Sequence, residues 1–142
     1  MATDVHSVKL GTKRLSAAAL VAKGRIHVSC LRHNPAFPDP TPPLDGIETA
    51  CDVLDLAYQA YAFNRGRREL QARNAAYRKL NDKLRELAAY ITSKCGGRRD
   101  LILSAGYEVR GKRGPSRPMT APQNLRSRFT REPGRLYLRW NA

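Results

Sequence analysis

The sequence predicts a mainly α-helical protein: a small three-helix bundle with a long antiparallel helical hairpin, a C-terminal β-hairpin and extended arms. Three observations predict this class. Apolar residues recur at intervals of three and four through two long segments, which is the spacing of a helical face. The composition is 42% hydrophobic but only 7% aromatic, which favours thin packing of helix on helix. Runs typical of strands appear only toward the C-terminus.

The first 14 residues are predicted to form an arm, because they have no helical period and contain Gly11. Such an arm is ordered only if another part of the chain holds it. A first helix is predicted from Leu15, capped by Ser16, to about Asn34, where a proline follows. Gly24 is expected to weaken this helix by about 1 kcal/mol relative to alanine. The predicted buried face consists of Leu15, Ala19, Ala22, Ile26 and Cys30.

A proline-rich strap is predicted at residues 35–43, which contain five prolines. Such a run favours extended, polyproline-like chain over helix or strand. At about 3.1 Å per residue the strap would span ~25–30 Å, enough to carry the chain along a helix of the bundle.

Two heptad-patterned helices, at residues 44–63 and 67–95, give the strongest signal in the sequence. A Gly-containing turn joins them, which predicts an antiparallel hairpin. The seam is expected to bury Leu54 and Tyr58 against Leu84 and Leu87. The pattern comprises Leu44, Ile47, Cys51, Leu54, Tyr58 and Tyr61, then Leu70, Tyr77, Leu80, Leu84, Leu87 and Ile91.

One unbroken helix through Gly66 is the alternative, and it would form a long dimeric coiled coil. The strap argues against this alternative, because it leaves a first helix free to cover the hairpin within one chain.

The chain is therefore expected to comprise an arm at 1–14, a helical bundle at 15–97, an extended segment and basic linker at 98–120, and a β-hairpin at 121–142. Residues 100–110 are predicted to form a strand or an extended docking segment, because they are a short run of apolar, β-branched and aromatic residues. The strands of the β-hairpin are predicted at about 123–130 and 135–140.

The charge is strongly positive: 26 Lys and Arg residues against 12 Asp and Glu residues give +14. Such an excess concentrates polyanions near a protein, so nucleic acid or an acidic protein surface is an expected partner, although basic residues are also ordinary solvated surface. Arginine forks grip phosphate without reading bases. Two candidate sets are Arg65, Arg67 and Arg68 at the turn of the helical hairpin, and Arg110, Lys112, Arg113 and Arg117 in the linker.

No catalytic, cofactor-binding or metal-binding residues are predicted. The three cysteines lack the spacing of a zinc site or a disulfide framework, and we expect them to be reduced and buried. His6, His27 and His33 have no acidic partner nearby in the sequence, and we expect them at the surface. No phosphate-binding loop or hydrolase motif is present, and no stretch is long and apolar enough to cross a membrane. The chain is expected to be non-enzymatic and made in the cytoplasm.

The segments FPDPTPPLDGIETACDVLDLAYQAY, AAYRKLNDKLRELAAYI, LILSAGYEVR and APQNL, with PGRLYLRW, resemble a family of uncharacterised bacterial and prophage proteins. In that family an N-terminal region with a proline-rich strap and a helical hairpin precedes a fibronectin type III domain. The resemblance covers about residues 15–140. It implies no enzyme activity and carries over no catalytic residues.

In that family the segment Ala121 to Trp140 would be the first two strands of the fibronectin domain, and this sequence contains only those two. An isolated two-stranded hairpin is marginal in water. We therefore expect the hairpin to couple the chain to other subunits, copies of itself included. The expected contact residues are Phe129, Leu136, Leu138 and Trp140. This interpretation predicts a structural protein of a phage or prophage virion; the alternative is a protein that binds nucleic acid nonspecifically through its basic segments.

Overall fold

The computed structural model describes residues 5–111 and 123–141, in two compact units that divide after Gly111. The described residues form four helices and two pairs of short antiparallel strands, so the mainly helical class with a C-terminal β-hairpin is confirmed. The helices are α1 (Ala17–Leu31), α2 (Leu44–Asn64), α3 (Arg67–Cys95) and α4 (Arg99–Ser104). The strands are β1 (Val8–Lys9), β2 (Glu108–Val109), β3 (Gln123–Phe129) and β4 (Leu136–Asn141).

Helix α1 begins as the sequence predicts and ends a few residues early. The Ser16 hydroxyl accepts a hydrogen bond from the Ala19 amide at 3.2 Å, which satisfies one of the free donors of the first turn. The predicted Ser16 cap is therefore confirmed. The helix ends at Leu31, and in the loop that follows the Asn34 side-chain oxygen accepts a hydrogen bond from the Ala36 amide.

The predicted buried face of α1 is wrong in part: Leu15, Ala19 and Cys30 are half-buried, so Cys30 is not the buried thiol that the sequence predicts. Ala22 is exposed and Ile26 is 54% exposed, whereas the buried positions are Leu20, Val21, Gly24, His27, Val28 and Leu31. The reason is a close approach at Gly24. A Cβ built on Gly24 would lie 2.6 Å from Cys51 Sγ and 3.6 Å from Leu80 Cδ1, so only glycine lets α1 pack this closely on α2 and α3. Gly24 thus turns a different side of the helix inward.

The seam of the helical hairpin is largely as predicted. Its fully buried members are Ile47, Cys51, Leu54, Leu80, Leu84, Leu87 and Ile91, each at 0% exposure. Between the helices, Arg65 adopts a left-handed conformation with φ 53°, and its amide donates to the Tyr61 carbonyl at 2.8 Å. The chain therefore reverses here, and the unbroken-helix alternative is wrong.

Tyr58 is an exception to the predicted seam, because it is 40% exposed. Helix α1 has 15 residues and α2 has 21, so at 1.5 Å per residue α1 is ~9 Å shorter. The two helices run antiparallel, and the carbonyl of Leu15, just before α1, accepts the Tyr77 hydroxyl at 2.8 Å. The last turns of α2 and the first turns of α3 therefore lie beyond the end of α1. We call this part, residues 59–76, the hairpin tip.

The strap at residues 35–43 contains neither helix nor strand. It is anchored by Phe37, which is 1% exposed and meets the Tyr90 ring edge-on at a centroid distance of 6.2 Å. Pro42 is also buried. The strap thus closes over one end of the bundle.

The prediction of a strand or extended segment at residues 100–110 is wrong for its first half. Residues 99–104 form α4, with Asp100 in the first turn and Ile102 1% exposed. A short apolar run does not distinguish a strand from a buried helical turn by its period. The second half is extended, as predicted: β2 pairs with β1, with Val8 opposite Val109.

The N-terminal arm is held by this pairing. The Arg110 amide donates to the Ser7 carbonyl at 2.8 Å, and the His6 amide donates to the Gly97 carbonyl at 3.0 Å. Lys9 also pairs with Glu108 at 2.6 Å. Residues 5–14 are therefore part of the helical unit.

Replacing Leu84 with alanine should lower the free energy of unfolding by about 2–5 kcal/mol, because the side chain is fully buried in the seam and its loss leaves a cavity. Urea denaturation of the purified protein measures this loss. Leu103→Ala is the matched control, since Leu103 is 51% exposed, and it should cost less than ~1 kcal/mol. Equal losses in the two variants would contradict the seam.

Candidate interaction surfaces

The β-hairpin presents two chemically different faces. Residues that pair across antiparallel strands have their side chains on the same face, and faces alternate along each strand. Phe129 pairs with Leu136 and Ser127 with Leu138, so these lie on one face, which Trp140 also shares. Arg126 pairs with Arg139 and Arg128 with Tyr137 on the opposite face.

The four predicted contact residues therefore come together. We call the side formed by Phe129, Leu136, Leu138 and Trp140 the apolar face. Their exposed fractions range from 48% for Leu138 to 86% for Phe129. The sequence interpretation missed Leu125, which is 61% exposed and two residues before Ser127 on the same strand. The signal that identifies it is the alternation of uncharged residues with Arg126 and Arg128 from 125 to 129.

The turn of the hairpin fixes this register. The Thr130 hydroxyl donates to the Arg135 carbonyl at 2.9 Å, and the Arg135 amide donates to the Glu132 carbonyl at 3.3 Å. Gly134 has φ 87°, a conformation that favours glycine. A one-residue slip would exchange the apolar and basic faces, so these hydrogen bonds define which side is apolar.

The first predicted basic set lies at the hairpin tip. Arg65, Arg67 and Arg68 follow one another around the turn from α2 to α3, and they lie at the surface. Arg73, which the sequence interpretation missed, lies with its guanidinium carbon 4.7 Å from the centre of the Tyr61 ring, and that of Arg65 is at 5.4 Å. Residues 59–76 contain four basic residues and one acidic residue. The tip is therefore cationic, with aromatic rings among its arginines.

The second predicted basic set is described only in part. Arg110 is exposed and lies next to β2, in the helical unit. Lys112, Arg113 and Arg117 lie outside the described residues.

The prediction that His27 lies at the surface is wrong. His27 is 1% exposed and stacks on Tyr107, with ring centroids 3.9 Å apart and planes 15° from parallel. Its Nδ1 donates to the Ala105 carbonyl at 3.2 Å, while Nε2 is buried without a hydrogen-bond partner. Burial lowers the pKa of His27 to about 4, so the ring is neutral at pH 7. This stack joins α1 to the segment after α4.

Buried thiols have little nucleophilic character in this fold. Burial raises the pKa of Cys51 to about 11 and also raises the pKa of Cys95, so both remain thiols at neutral pH. Within residues 5–111 and 123–141, no group of three His, Cys, Asp or Glu side chains is arranged to hold a metal ion. None of the helices described is long and apolar enough to span a membrane.

The described residues thus define a small, mainly helical protein with an exposed apolar face on its β-hairpin and a cationic hairpin tip. No family model, curated protein or solved structure matches the chain. The resemblance to prophage proteins with a fibronectin domain therefore stays a prediction from the quoted segments.

The stability of the helical unit should fall as the pH falls from about 6.5 to about 4. His27 is neutral in the folded state, with a pKa of about 4, whereas an unfolded histidine has a pKa near 6.5. The unfolded chain therefore binds more protons in this window, and about 3 kcal/mol of stability is lost across it. Urea denaturation at a series of pH values measures the loss.

His27→Gln should remove most of this pH dependence, and His33→Gln, at an exposed position of the loop after α1, is the control that should keep it. If both variants retained the slope of the parent protein, the buried neutral imidazole would not be its source.

Proposed function

We propose that this chain is a non-enzymatic structural subunit of a larger assembly, joined to neighbouring copies through its β-hairpin. The observation that carries the proposal is the apolar face, with Trp140 55% exposed and Phe129 86% exposed on one side and arginines on the other. The virion setting rests on the resemblance to prophage proteins alone.

Burial of the apolar face is the driving force. Fully burying one Leu or Phe side chain contributes about 1.5–3 kcal/mol, and a tryptophan buries a larger surface still. The opposite face contains Arg126, Arg128 and Arg139, whose charges are costly to remove from water. Only one side of the hairpin can therefore be covered at low cost.

A second copy of the hairpin is the partner that this chemistry fits. Two apolar faces can stack about 10 Å apart as the two layers of a sandwich, with both sets of arginines outside in water. Each hairpin also offers two strand edges for backbone pairing with another chain.

The size of the face favours an assembly of many copies over an isolated pair. Six or seven residues at ~3.3 Å and two strands at ~4.8 Å give a face of roughly 200 Å². A stable protein interface buries about 800 Å² on each partner. A single interface of this kind is therefore weak, and a particle that presents many of them at once gains effective concentration.

Trp140→Ser combined with Leu138→Ser should abolish the self-association that the β-hairpin drives. These changes remove two of the four residues of the apolar face, including its tryptophan, without touching the helical core. Sedimentation velocity over a range of protein concentrations should show oligomers larger than a dimer for the parent protein and none for the variant, with unchanged helix content by circular dichroism.

Tyr137→Ser is the matched control, because Tyr137 is 71% exposed but belongs to the arginine face. It should associate like the parent protein. If the control dissociated as completely as the Trp140 and Leu138 variant, loss of the apolar face would not be the cause.

A second candidate function is nonspecific nucleic-acid binding at the hairpin tip. Four basic residues lie among aromatic ones within residues 59–76, and Phe63 is 89% exposed there. Arginines bind phosphate, and an exposed ring can stack on a base. This candidate and the assembly function use different parts of the chain.

Replacing Arg65, Arg67 and Arg68 with glutamine should weaken binding to duplex DNA, if the tip is the site. The slope of log affinity against log salt should decrease by about 0.9 for each phosphate that the tip no longer neutralises. Fluorescence anisotropy across a series of salt concentrations measures both quantities. Replacing Lys112, Arg113 and Arg117 with glutamine removes the same charge from the second candidate set, and this variant should bind like the parent protein if the tip alone is the site. No binding by the parent protein at low salt would rule out this function.

A further inference from the structure

Helix α2 has a second apolar seam that faces away from the bundle core. Its members recur at 3-4-3-4-3 spacing, and all but the last lie one position before a buried or half-buried residue, which is a rotation of about 100° around the helix. They are Gly46, Thr49, Val53, Leu56, Ala60 and Phe63, and we call them the outer stripe. Val53, Leu56 and Phe63 are 49%, 68% and 89% exposed. Heptad spacing on an exposed helix face is the pattern by which helices pack on one another.

The outer stripe has a basic border on one side. A groove of about 260 Å³ lies between α2 and α3, lined by Gly46, Thr49 and Val53 and bordered by Lys79 and Lys83. Lys83 Nζ lies 3.5 Å from the place a Cβ would take on Gly46, which puts this lysine on the α3 side of the stripe.

The other border is acidic. Asp45 and Asp52 each precede a stripe residue by one position, a further rotation of about 100° away from α3. Asp52 is 3.3 Å from Arg25 of α1, which places it on the side of α2 opposite the lysines. The stripe is thus an apolar strip between a basic border and an acidic border.

We propose that the outer stripe is the interface with a second copy of this chain, with the two α2 helices parallel and related by a two-fold axis along the stripe. The two-fold rotation keeps each residue at the same level along the helix axis. It places the basic border of one copy opposite the acidic border of the other. Lys79 and Lys83 of one copy then face Asp45 and Asp52 of the other, twice in each pair. An antiparallel pair would set lysine against lysine and aspartate against aspartate.

The residue types along the stripe agree with the parallel arrangement. In heptad terms Gly46, Val53 and Ala60 occupy the a positions, and Thr49, Leu56 and Phe63 occupy the d positions. A β-branched residue at a with leucine at d, as in Val53 and Leu56, favours two parallel strands. The small residues Gly46, Thr49 and Ala60 allow the two helices to approach closely.

This interface is independent of the β-hairpin. It is therefore tested in the full chain with Leu138→Ser and Trp140→Ser already present, so that failure of the hairpin interface and failure of the stripe interface are observed separately. In this background the protein should sediment as a dimer at high concentration. Leu56→Glu should make it monomeric, with at least a tenfold loss of affinity, because it places a charge at the centre of the stripe.

Gln59→Glu is the matched control, since Gln59 is on the same helix but lies on the acidic border. It should remain dimeric, and both variants should keep the helix content of the background protein by circular dichroism. A background protein that stays monomeric at high concentration would overturn the proposal, as would a dimer that Leu56→Glu leaves intact.

Charge reversal tests the orientation. A chain with Lys79→Glu and Lys83→Glu, and a separate chain with Asp45→Lys and Asp52→Lys, should each dimerise at least tenfold more weakly than the background. Their mixture should form a heterodimer, because both pairs of borders then set lysines against carboxylates, whereas each reversed chain alone sets like charges against each other at both borders. Native mass spectrometry distinguishes the three species. If each reversed chain alone dimerised normally, or if the mixture did not dimerise, the parallel pairing would be overturned.

Discussion

The close approach of α1 to the helical hairpin at Gly24 is the constraint on which the rest of the helical unit depends. Cys51 Sγ and Leu80 occupy the space that a side chain would need, so this point fixes the rotation of α1. The rotation places His27 inside the core and Ile26 outside. Since α1 begins near the level of Tyr77, it also fixes how much of the hairpin α1 covers.

The stack of His27 on Tyr107 connects α1, whose rotation Gly24 fixes, to the segment after α4. The Tyr107 hydroxyl donates to the Leu84 carbonyl at 3.2 Å, and the Ala105 carbonyl accepts from His27, so the segment after α4 is bonded to two helices. Gly106 has φ 80°, and a Cβ built on it would lie 3.3 Å from His27 Nδ1, so the absence of a side chain allows this close approach. The segment then continues into β2, which holds the N-terminal arm through β1. His27 thus has a structural role. Helix α1 fixes its position, and its contacts with Ala105 and Tyr107 hold the segment that leads into β2 and so to the N-terminal arm.

The sequence predicts the local elements of this protein better than the packing between them. The heptad spacing of α2 and α3, the Ser16 cap and the two strands of the β-hairpin agree with the structure because each depends on residues near one another in the chain. The buried face of α1 does not, since an alanine-rich helix offers apolar residues on several sides and the choice is made by Gly24 against Cys51. The burial of His27 was missed for a related reason: its partner Ala105 is 78 positions away. The apolar face of the β-hairpin was predicted because alternation alone sorts its side chains, whereas Arg73 joins the tip only through the fold.

A net charge of +14 opposes self-association, and both proposed interfaces between copies reduce this repulsion by the positions of their charged residues. The β-hairpin keeps Arg126, Arg128 and Arg139 on the face that stays in water. The outer stripe, paired as proposed, sets each basic border against an acidic one.

The remaining repulsion is between whole chains, and salt screens it over about 8 Å at physiological ionic strength. An interface driven by apolar burial, such as the one proposed for the β-hairpin, is therefore expected to strengthen as salt rises, because burial is unaffected and the repulsion declines. Binding of a polyanion at the hairpin tip weakens under the same conditions, because its affinity comes from released counterions. The two proposed functions, assembly and nucleic-acid binding, are thus expected to respond to salt in opposite directions.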